Sequence, residues 1–337
     1  MMFPDLRAQA SEHTKHAASV TKVTHKNLMA VEGVGLLFAF LHVAENTLMV
    51  FSMKDAKKMV KPMRILVVHL GVVYTLYGFF SINASAVNLI TYKDTNLGLC
   101  YLRTSSMSLL EKVATYGTMW MVICCIVMRQ PTGAMYDVFT SGRKLNILLA
   151  LTWLFASIGT AITFSVDTGE WGEVCELLRG YSREAEAIME GVGMVVMIAG
   201  LLVLFWRSVR GSRPVSPDSF LLEESDGTYH RHDEITLTVV STIFTVMALP
   251  KLVFDITYVM TGRDETLTDD EYYWHVAADV IWRLSGIFLF PVMLCRHSEA
   301  RRHLKKTLCK KLQMGRELSL QVDDTYRRNT VCRLALQ

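Results

Sequence analysis

The stretch ILVVHLGVVYTLYGFFSINASAVNLI, Ile65 to Ile90, contains no Asp, Glu, Lys or Arg. About 20 apolar residues in a helix are enough to cross a hydrocarbon layer of about 30 Å. A helix is expected because lipid offers no partner to an unpaired backbone group, and the stretch is too long for a barrel strand. This stretch therefore predicts a transmembrane helix.

Further apolar stretches of similar length raise the expected number of transmembrane helices to seven. They are Leu28–Met53, Ser105–Met128, Leu145–Val166, Ala187–Trp206, Ile235–Met260 and Val276–Cys295. Glu45 interrupts the first of them, and Glu111 with Lys112 interrupts the third. The sequence therefore predicts an all-α membrane protein whose residues 28–295 form a seven-transmembrane helix bundle.

The composition agrees with a membrane protein. Of 337 residues, 51% are hydrophobic and 20% are charged, whereas soluble proteins of this size are usually more polar. The cysteines are too few for a disulfide-built scaffold, and no CxxC pair indicates a zinc site. The sequence also lacks HExxH, GxSxG and phosphate-loop motifs. We therefore expect no metal, no cofactor, no enzymatic activity and no nucleic-acid partner.

The charged residues between the stretches predict the orientation of the bundle. Basic residues crowd alternate connectors, and the positive-inside rule places those connectors in the cytoplasm. They are Lys54, Lys57, Lys58, Lys61 and Arg64 in the first connector, Arg129, Arg143 and Lys144 in the third, and Arg207, Arg210 and Arg213 in the fifth. Acidic residues outnumber basic ones between Asp167 and Glu186 and between Thr261 and His275. We expect those two connectors and the N-terminal tail, residues 1–27, to be extracellular.

A basic segment follows the seventh stretch. In CRHSEARRHLKKTLCKKL, leucines recur at every fourth residue from Leu304 to Leu312 among lysines and arginines. This pattern predicts an amphipathic helix over residues 296–312 that lies on the anionic inner leaflet, followed by a cytoplasmic tail over residues 313–337. Cys309 is a candidate for palmitoylation, and an unmodified thiol is the alternative. We therefore expect a multi-pass protein of the plasma membrane that has membrane lipids as partners.

Several residues lie in motif positions that are typical of one kind of seven-helix protein. They are Asn46 in ENTLMVF of the first stretch, Trp153 in LLALTWLFASIGT of the fourth, Pro250 in FTVMALPKLVF of the sixth and Pro291 in LFPVMLC of the seventh. Together with the topology, these positions resemble the rhodopsin-like (class A) G-protein-coupled receptors. A proline inside a span breaks one backbone hydrogen bond, so Pro250 and Pro291 are candidate flexing points.

The resemblance implies a disulfide bond. The chain departs from the family at the position where the family contacts its transducer. The implied bond joins Cys100, at the start of the third span, to Cys175 in the second outer loop. The family has Asp-Arg-Tyr at the inner end of the third span. In its place this chain has Cys124, Cys125 and Ile126. Arg129, one helical turn further on, is the nearest substitute for that arginine as a contact to a heterotrimeric G protein or arrestin.

The two adjacent cysteines also invite a chemical interpretation. Neighbouring residues on a helix point in different directions, so Cys124 and Cys125 are poorly placed for a disulfide with each other. The cytoplasmic half of a membrane is also a reducing environment. We expect both to pack as small apolar residues.

Charged residues also lie in the outer halves of the predicted spans, where each costs about 2.5–3.5 kcal/mol unless it is paired or reaches water. The candidate ligand pocket consists of Arg103, Met107 and Glu111 in the third span, Glu190 in the fifth, Lys251 and Asp255 in the sixth, and Asp279 and Arg283 in the seventh. The third, sixth and seventh spans line the ligand cavity in class A receptors, so the resemblance implies that these residues converge. The alternative is internal ion pairs, such as Glu111 with Lys251 or with Arg283. The two interpretations are compatible.

The same positions argue against two ligand classes. Met107 stands where the amine receptors of the family have an aspartate, and Arg283 cannot form the Schiff base that opsins make with a lysine. The acidic outer loops favour a cationic partner such as a basic peptide or protein. We therefore predict a receptor for an extracellular ligand. The alternatives are a non-signalling binding or decoy receptor, a dimerisation partner of another receptor and, third, a transporter or channel.

Overall fold

The structure is a computed structural model, and helices are its secondary structure over the residues that it describes. These are residues 33–54, 56, 59–90, 97–128, 133–165, 183–209, 226–260, 269–297, 301–302 and 304–305. In chain order the helices are α1 (Gly33–Lys54), α2 (Lys61–Ile90), α3 (Leu97–Met128), α4 (Ala134–Thr140), α5 (Gly142–Ser165), α6 (Arg183–Val209), α7 (Asp226–Met260) and α8 (Asp269–Arg296).

Seven of these helices are long and apolar enough to cross a membrane, and α4 is the short exception. The chain is therefore a multi-pass integral membrane protein, and the predicted seven-helix bundle is confirmed. The short α4 lies between α3 and α5, where Phe139 is buried against Trp120 with ring centroids 6.5 Å apart. We call the end of the bundle where α1 ends and α2 begins the predicted cytoplasmic end, and the opposite end the predicted outer end.

The segment after the seventh span, where we expect an amphipathic helix, is described only in part. Arg301, Arg302, Leu304 and Lys305 have helical backbone. The guanidinium of Arg301 donates a hydrogen bond of 2.8 Å to the carbonyl of Leu294, which stabilises the last turn of α8. The rest of that segment, including Cys309, lies outside the described residues, as do residues 1–27 and 313–337, so the amphipathic helix stays a prediction.

The third span, α3, is the central helix of the bundle. Of the residues in its most apolar stretch, 72% are buried, against 28–50% in the other spans. It packs against α2, α5, α6 and α7. Small residues permit close approach to α6, because a Cβ atom on Gly193 would lie 3.0 Å from Thr115 and one on Gly200 would lie 2.5 Å from Val122.

Side-chain hydrogen bonds join the helices at two of the positions that carry the resemblance. Asn46 on α1 donates to the carbonyl of Gly286 on α8 at 3.2 Å. The indole N–H of Trp153 on α5 donates to Nε2 of His69 on α2 at 2.9 Å. Hydrogen bonds of this kind are valuable in a bundle that lies in lipid, because no water is present to satisfy the same groups.

The two prolines lie within helices that continue past them. Pro250 is in the last third of α7, and Pro291 is in the last two turns of α8. Each removes one backbone N–H from the helical ladder. Both positions are therefore suited to bending, as the sequence predicts.

The contact between α1 and α2 depends on a glycine. A Cβ atom on Gly78 would lie 2.8 Å from the carbonyl oxygen of Ala39 and 2.8 Å from Cβ of His42, so the helices would have to separate. We expect Gly78→Ala to destabilise the protein by about 1–3 kcal/mol, the usual cost of overpacking. The melting temperature of the detergent-solubilised chain measures this loss.

Gly191→Ala is the matched control for that substitution. The nearest atom to its added Cβ is Leu252 Cδ1 at 3.9 Å, which is ordinary contact, and alanine favours a helix more than glycine does. Gly191→Ala should therefore melt no lower than the unmodified protein. Equal melting temperatures for the two variants would show that the close approach at Gly78 is not required.

Candidate functional site

Three spans meet around a buried lysine near the predicted outer end. The ammonium of Lys251 on α7 forms an ion pair with Glu111 on α3, and it lies 3.4 Å from Oε1 of Glu190 on α6. All three residues are buried, with relative exposures of 5–7%. The structure thus makes one of the two pairings expected for Glu111, the one with Lys251.

A second buried lysine makes a neighbouring pair between α3 and α6. Lys112 is fully buried and forms an ion pair with Glu186. Its ammonium also donates to the hydroxyl of Ser108 at 2.6 Å, and that hydroxyl donates to Glu186 at 3.2 Å. The sequence counted Glu186 among the carboxylates of a solvated outer loop, which is wrong, because the residue lies in the first turn of α6 and faces inward.

The two pairs form one cluster, which we call the charge network: Glu111, Lys112, Glu186, Glu190 and Lys251. One carboxylate oxygen from each of the three glutamates lies within 4.8 Å of the others. The network contains one more carboxylate than ammonium group. Three such oxygens could bind a metal ion, but the lysine ammonium groups already contact them. A further cation would have to displace an ammonium or share its carboxylates.

Polar and aromatic side chains surround the charge network. The phenol of Tyr77 on α2 donates to Oε1 of Glu111 at 3.3 Å. The Trp282 ring on α8 lies under the Lys251 ammonium, 5.5 Å from it, in a cation–π arrangement. Asp255, one turn from Lys251 on α7, is also buried. These contacts extend the polar region from α3 and α6 towards α2 and α8.

The predicted pocket residues on α8 pair with each other. The guanidinium of Arg283 lies 2.5 Å from the carboxylate of Asp279, one turn earlier on the same helix. This pair is partly exposed, with side-chain exposures of 14% and 20%. The backbone carbonyl of Arg283 also accepts a hydrogen bond of 2.7 Å from His42 on α1. The pair therefore joins two of the predicted pocket residues and contacts α1 through the backbone of Arg283.

The remaining predictions at the outer end are described only in part. Met107 is buried one turn above Glu111 on α3. The side chains of Arg103 and Cys100 lie outside the described residues, as does Cys175. The proposed disulfide therefore stays a prediction.

At the predicted cytoplasmic end, both cysteines of α3 are buried as free thiols. The thiol of Cys125 points towards the carbonyl of Glu234 on α7, with a sulfur–oxygen distance of 4.0 Å. Cys124 and the half-buried Ile126 pack in the apolar core. Arg129 lies outside the described residues.

Between these two regions lies a small, partly open pocket of about 10 Å³. This volume is about that of one water-sized probe. Its polar lining includes the hydroxyls of Tyr74 and Ser285, which lie 3.5 Å apart.

Neither a protein-family model nor a curated protein matches the chain. The charge network and the fold are therefore the observations that bear on its function.

The sequence predicts Glu111, Glu190 and Lys251 as site residues, but it does not place Lys112 and Glu186 in the same site. Two spacings in the sequence indicate that Lys112 and Glu186 belong to the site. Ser108 and Lys112 lie four residues apart on α3, and Glu186 and Glu190 lie four residues apart on α6, so each pair shares a helix face. A polar face at this spacing in an apolar helix indicates an interior position.

The pairing of Lys112 with Glu186 predicts the effect of removing one partner. Lys112→Met leaves a buried carboxylate uncompensated, and we expect it to destabilise the solubilised protein by about 3–5 kcal/mol. The double variant Lys112→Met/Glu186→Gln should recover part of that loss. Lys144→Met, at an exposed position of α5, is the control and should have no effect. A double variant no more stable than Lys112→Met would refute the pairing.

Proposed function

We propose that the chain is a divergent rhodopsin-like receptor of the plasma membrane, with its N-terminus outside, that binds a cationic extracellular ligand such as a basic peptide. The observation that supports this proposal is the charge network. It lies where α3, α6 and α7 meet, near the end of the bundle that the charge pattern predicts to face outward. Charged residues within membrane spans are costly and rare, and a cluster of them indicates a functional site.

The composition of the charge network favours a cationic ligand over an anionic one. Three glutamates surround two lysines, so a ligand guanidinium or ammonium group completes the charge balance. A guanidinium also fits paired carboxylates, because its planar donors reach two oxygens at once. Burial strengthens such a contact, since few water molecules compete for it.

The residues at the predicted cytoplasmic end argue against contact with a G protein. They favour the alternative of a receptor that binds its ligand without signalling. Cys124 and Cys125 are buried where the resembling family presents an arginine to its G protein. A buried thiol cannot replace a guanidinium in such a contact. The alternative function is therefore a decoy receptor or a dimerisation partner that binds ligand without a second-messenger response.

Removal of one carboxylate tests the ligand class. We expect cells that display the full chain to bind pools of Arg- and Lys-rich peptides and to ignore acidic pools. Glu190→Gln leaves the charge network with equal numbers of carboxylate and ammonium groups, so affinity for the basic pool should fall about tenfold, or about 1.4 kcal/mol. Labelled-peptide binding to the cell surface measures both effects.

The control for this experiment is Asp137→Asn, which makes the same charge change at an exposed position of α4. It should leave peptide binding unchanged. Equal binding of acidic and basic pools, or equal losses in the two variants, would contradict the proposed ligand class.

A second substitution tests coupling. If Arg129 replaces the missing arginine, Arg129→Ala should abolish basal second-messenger and arrestin signals, whereas Arg143→Ala at the exposed start of α5 should not. Unchanged signalling in Arg129→Ala would exclude Arg129 from coupling. Specific peptide uptake without any signal from the unmodified chain would favour the binding-only alternative.

A further inference from the structure

The charge network contains one more carboxylate than its two lysines can neutralise. Lys112 forms an ion pair with Glu186, and Lys251 forms an ion pair with Glu111. Glu190 makes the remaining contact, with its Oε1 3.4 Å from the ammonium of Lys251. Glu190 is therefore the carboxylate that shares a lysine with another glutamate.

Side-chain hydrogen bonds stabilise the ionised form of the other two glutamates. The phenol of Tyr77 donates to Oε1 of Glu111 at 3.3 Å. The hydroxyl of Ser108 donates to Glu186 at 3.2 Å. A hydrogen bond that a carboxylate accepts favours its charged form. Glu190 is therefore the member of the charge network where a proton most easily takes the place of a counter-charge.

The charged residues of α7 and α8 around this site do not reduce the surplus of carboxylates. Asp255, one turn beyond the network lysine of α7, is a further carboxylate and is 2% exposed. On α8, Arg283 pairs with Asp279, and the two charges of that pair cancel. The described surroundings of Glu190 thus contain more carboxylates than cations.

The helices that pack against α6 on its other sides add no charge beside Glu190. On α3 the phenol of Tyr116 donates to the backbone carbonyl of Met189 at 2.7 Å. The charged residues of α5 are Arg143 and Lys144, which lie next to the start of α2 at the predicted cytoplasmic end. The lysine of the sixth span is therefore the cation that Glu190 contacts.

Burial makes this surplus negative charge costly. Glu190 is 5% exposed, so water does little to stabilise a charge on it. One oxygen from each of Glu111, Glu186 and Glu190 lies within 4.8 Å of the others. Carboxylates this close in a buried site cannot all ionise without matching cations, and a proton on one of them removes the repulsion.

We propose that the charge network is a cation-exchange site, in which Glu190 carries a proton until the charged group of a basic ligand replaces it. When a guanidinium or ammonium group binds, the O–H bond of the carboxylic acid breaks, its electron pair stays on Glu190, and the proton passes to water. The occupied network has the same total charge before and after the exchange. The exchange rests on the proposed function for its ligand, whereas the proton depends on the charge network alone.

Infrared spectroscopy of the full chain in detergent detects the proton without any ligand. A protonated carboxylic acid has a carbonyl band that is separate from the bands of an ionised carboxylate. We expect this band at neutral pH, and Glu190→Gln should remove one carboxylic acid from it. Glu190→Asp keeps a carboxyl group and should retain the band at a shifted frequency. Asp137→Asn, at an exposed position of α4, should leave the band unchanged.

The pH dependence of binding measures the exchange itself. The probe is an acetylated peptide of arginines, whose charge stays constant near neutral pH. Because the peptide competes with one proton, its affinity should rise about three- to tenfold for each unit of increasing pH. Glu190→Gln removes the competing proton, so its weaker binding should not change with pH. Asp137→Asn should keep the pH dependence of the unmodified chain.

The two measurements separate the proton from the ligand. An unchanged carboxylic-acid band in Glu190→Gln would overturn the proposal, and an unshifted band in Glu190→Asp would overturn it if the glutamine variant does not fold. Equal pH dependence of binding in Glu190→Gln and the unmodified chain would overturn the exchange but leave the cationic ligand supported. Absence of peptide binding at every pH would contradict the proposed function and the exchange together, while a band lost in Glu190→Gln would still support the proton on that residue.

Discussion

The ion pairs of the charge network constrain how the outer half of this bundle can pack. Lipid offers no partner to Glu111, Glu190 or Lys251, so each must find its counter-charge inside the protein. The three come from α3, α6 and α7 and meet at one depth. Rotation of any of these helices by one residue, about 100°, would turn a charge towards lipid. The pairs therefore fix the register of three helices at once.

The central position of α3 follows from this constraint. Glu111 and Lys112 are adjacent, so their side chains leave the helix in directions about 100° apart. Glu111 reaches α7, and Lys112 reaches α6. A helix that carries opposite charges on two faces needs a partner on each. This requirement explains why α3 is the most buried span, whereas the outer faces of α1, α5 and α6 present apolar side chains to the lipid.

The seven spans were predictable because hydrophobic length is a local property of the sequence. The pairing of Glu111 with Lys251 was also foreseen as one of two options, since few charges lie within the spans. The position of Glu186 in the site was not predicted, because the residues before α6 are as acidic as its first turn. Composition therefore does not mark where the loop ends and the helix begins. The partners of Asp233 could not be predicted either, since they depend on how α2 and α8 approach α7 and include a backbone N–H.

The two polar regions of the bundle are joined by a single helix. Lys251 belongs to the charge network, Asp233 contacts Val60 before α2 and His297 after α8, and both lie on α7 with Pro250 directly before Lys251. A cation that draws Glu111 away from Lys251 therefore acts beside the point where α7 lacks a backbone hydrogen bond. Such a ligand must bind two arrangements of α7 with different affinity if it is to change the contacts of Asp233. By linkage, a change in the contacts of Asp233 would then change ligand affinity by the same factor.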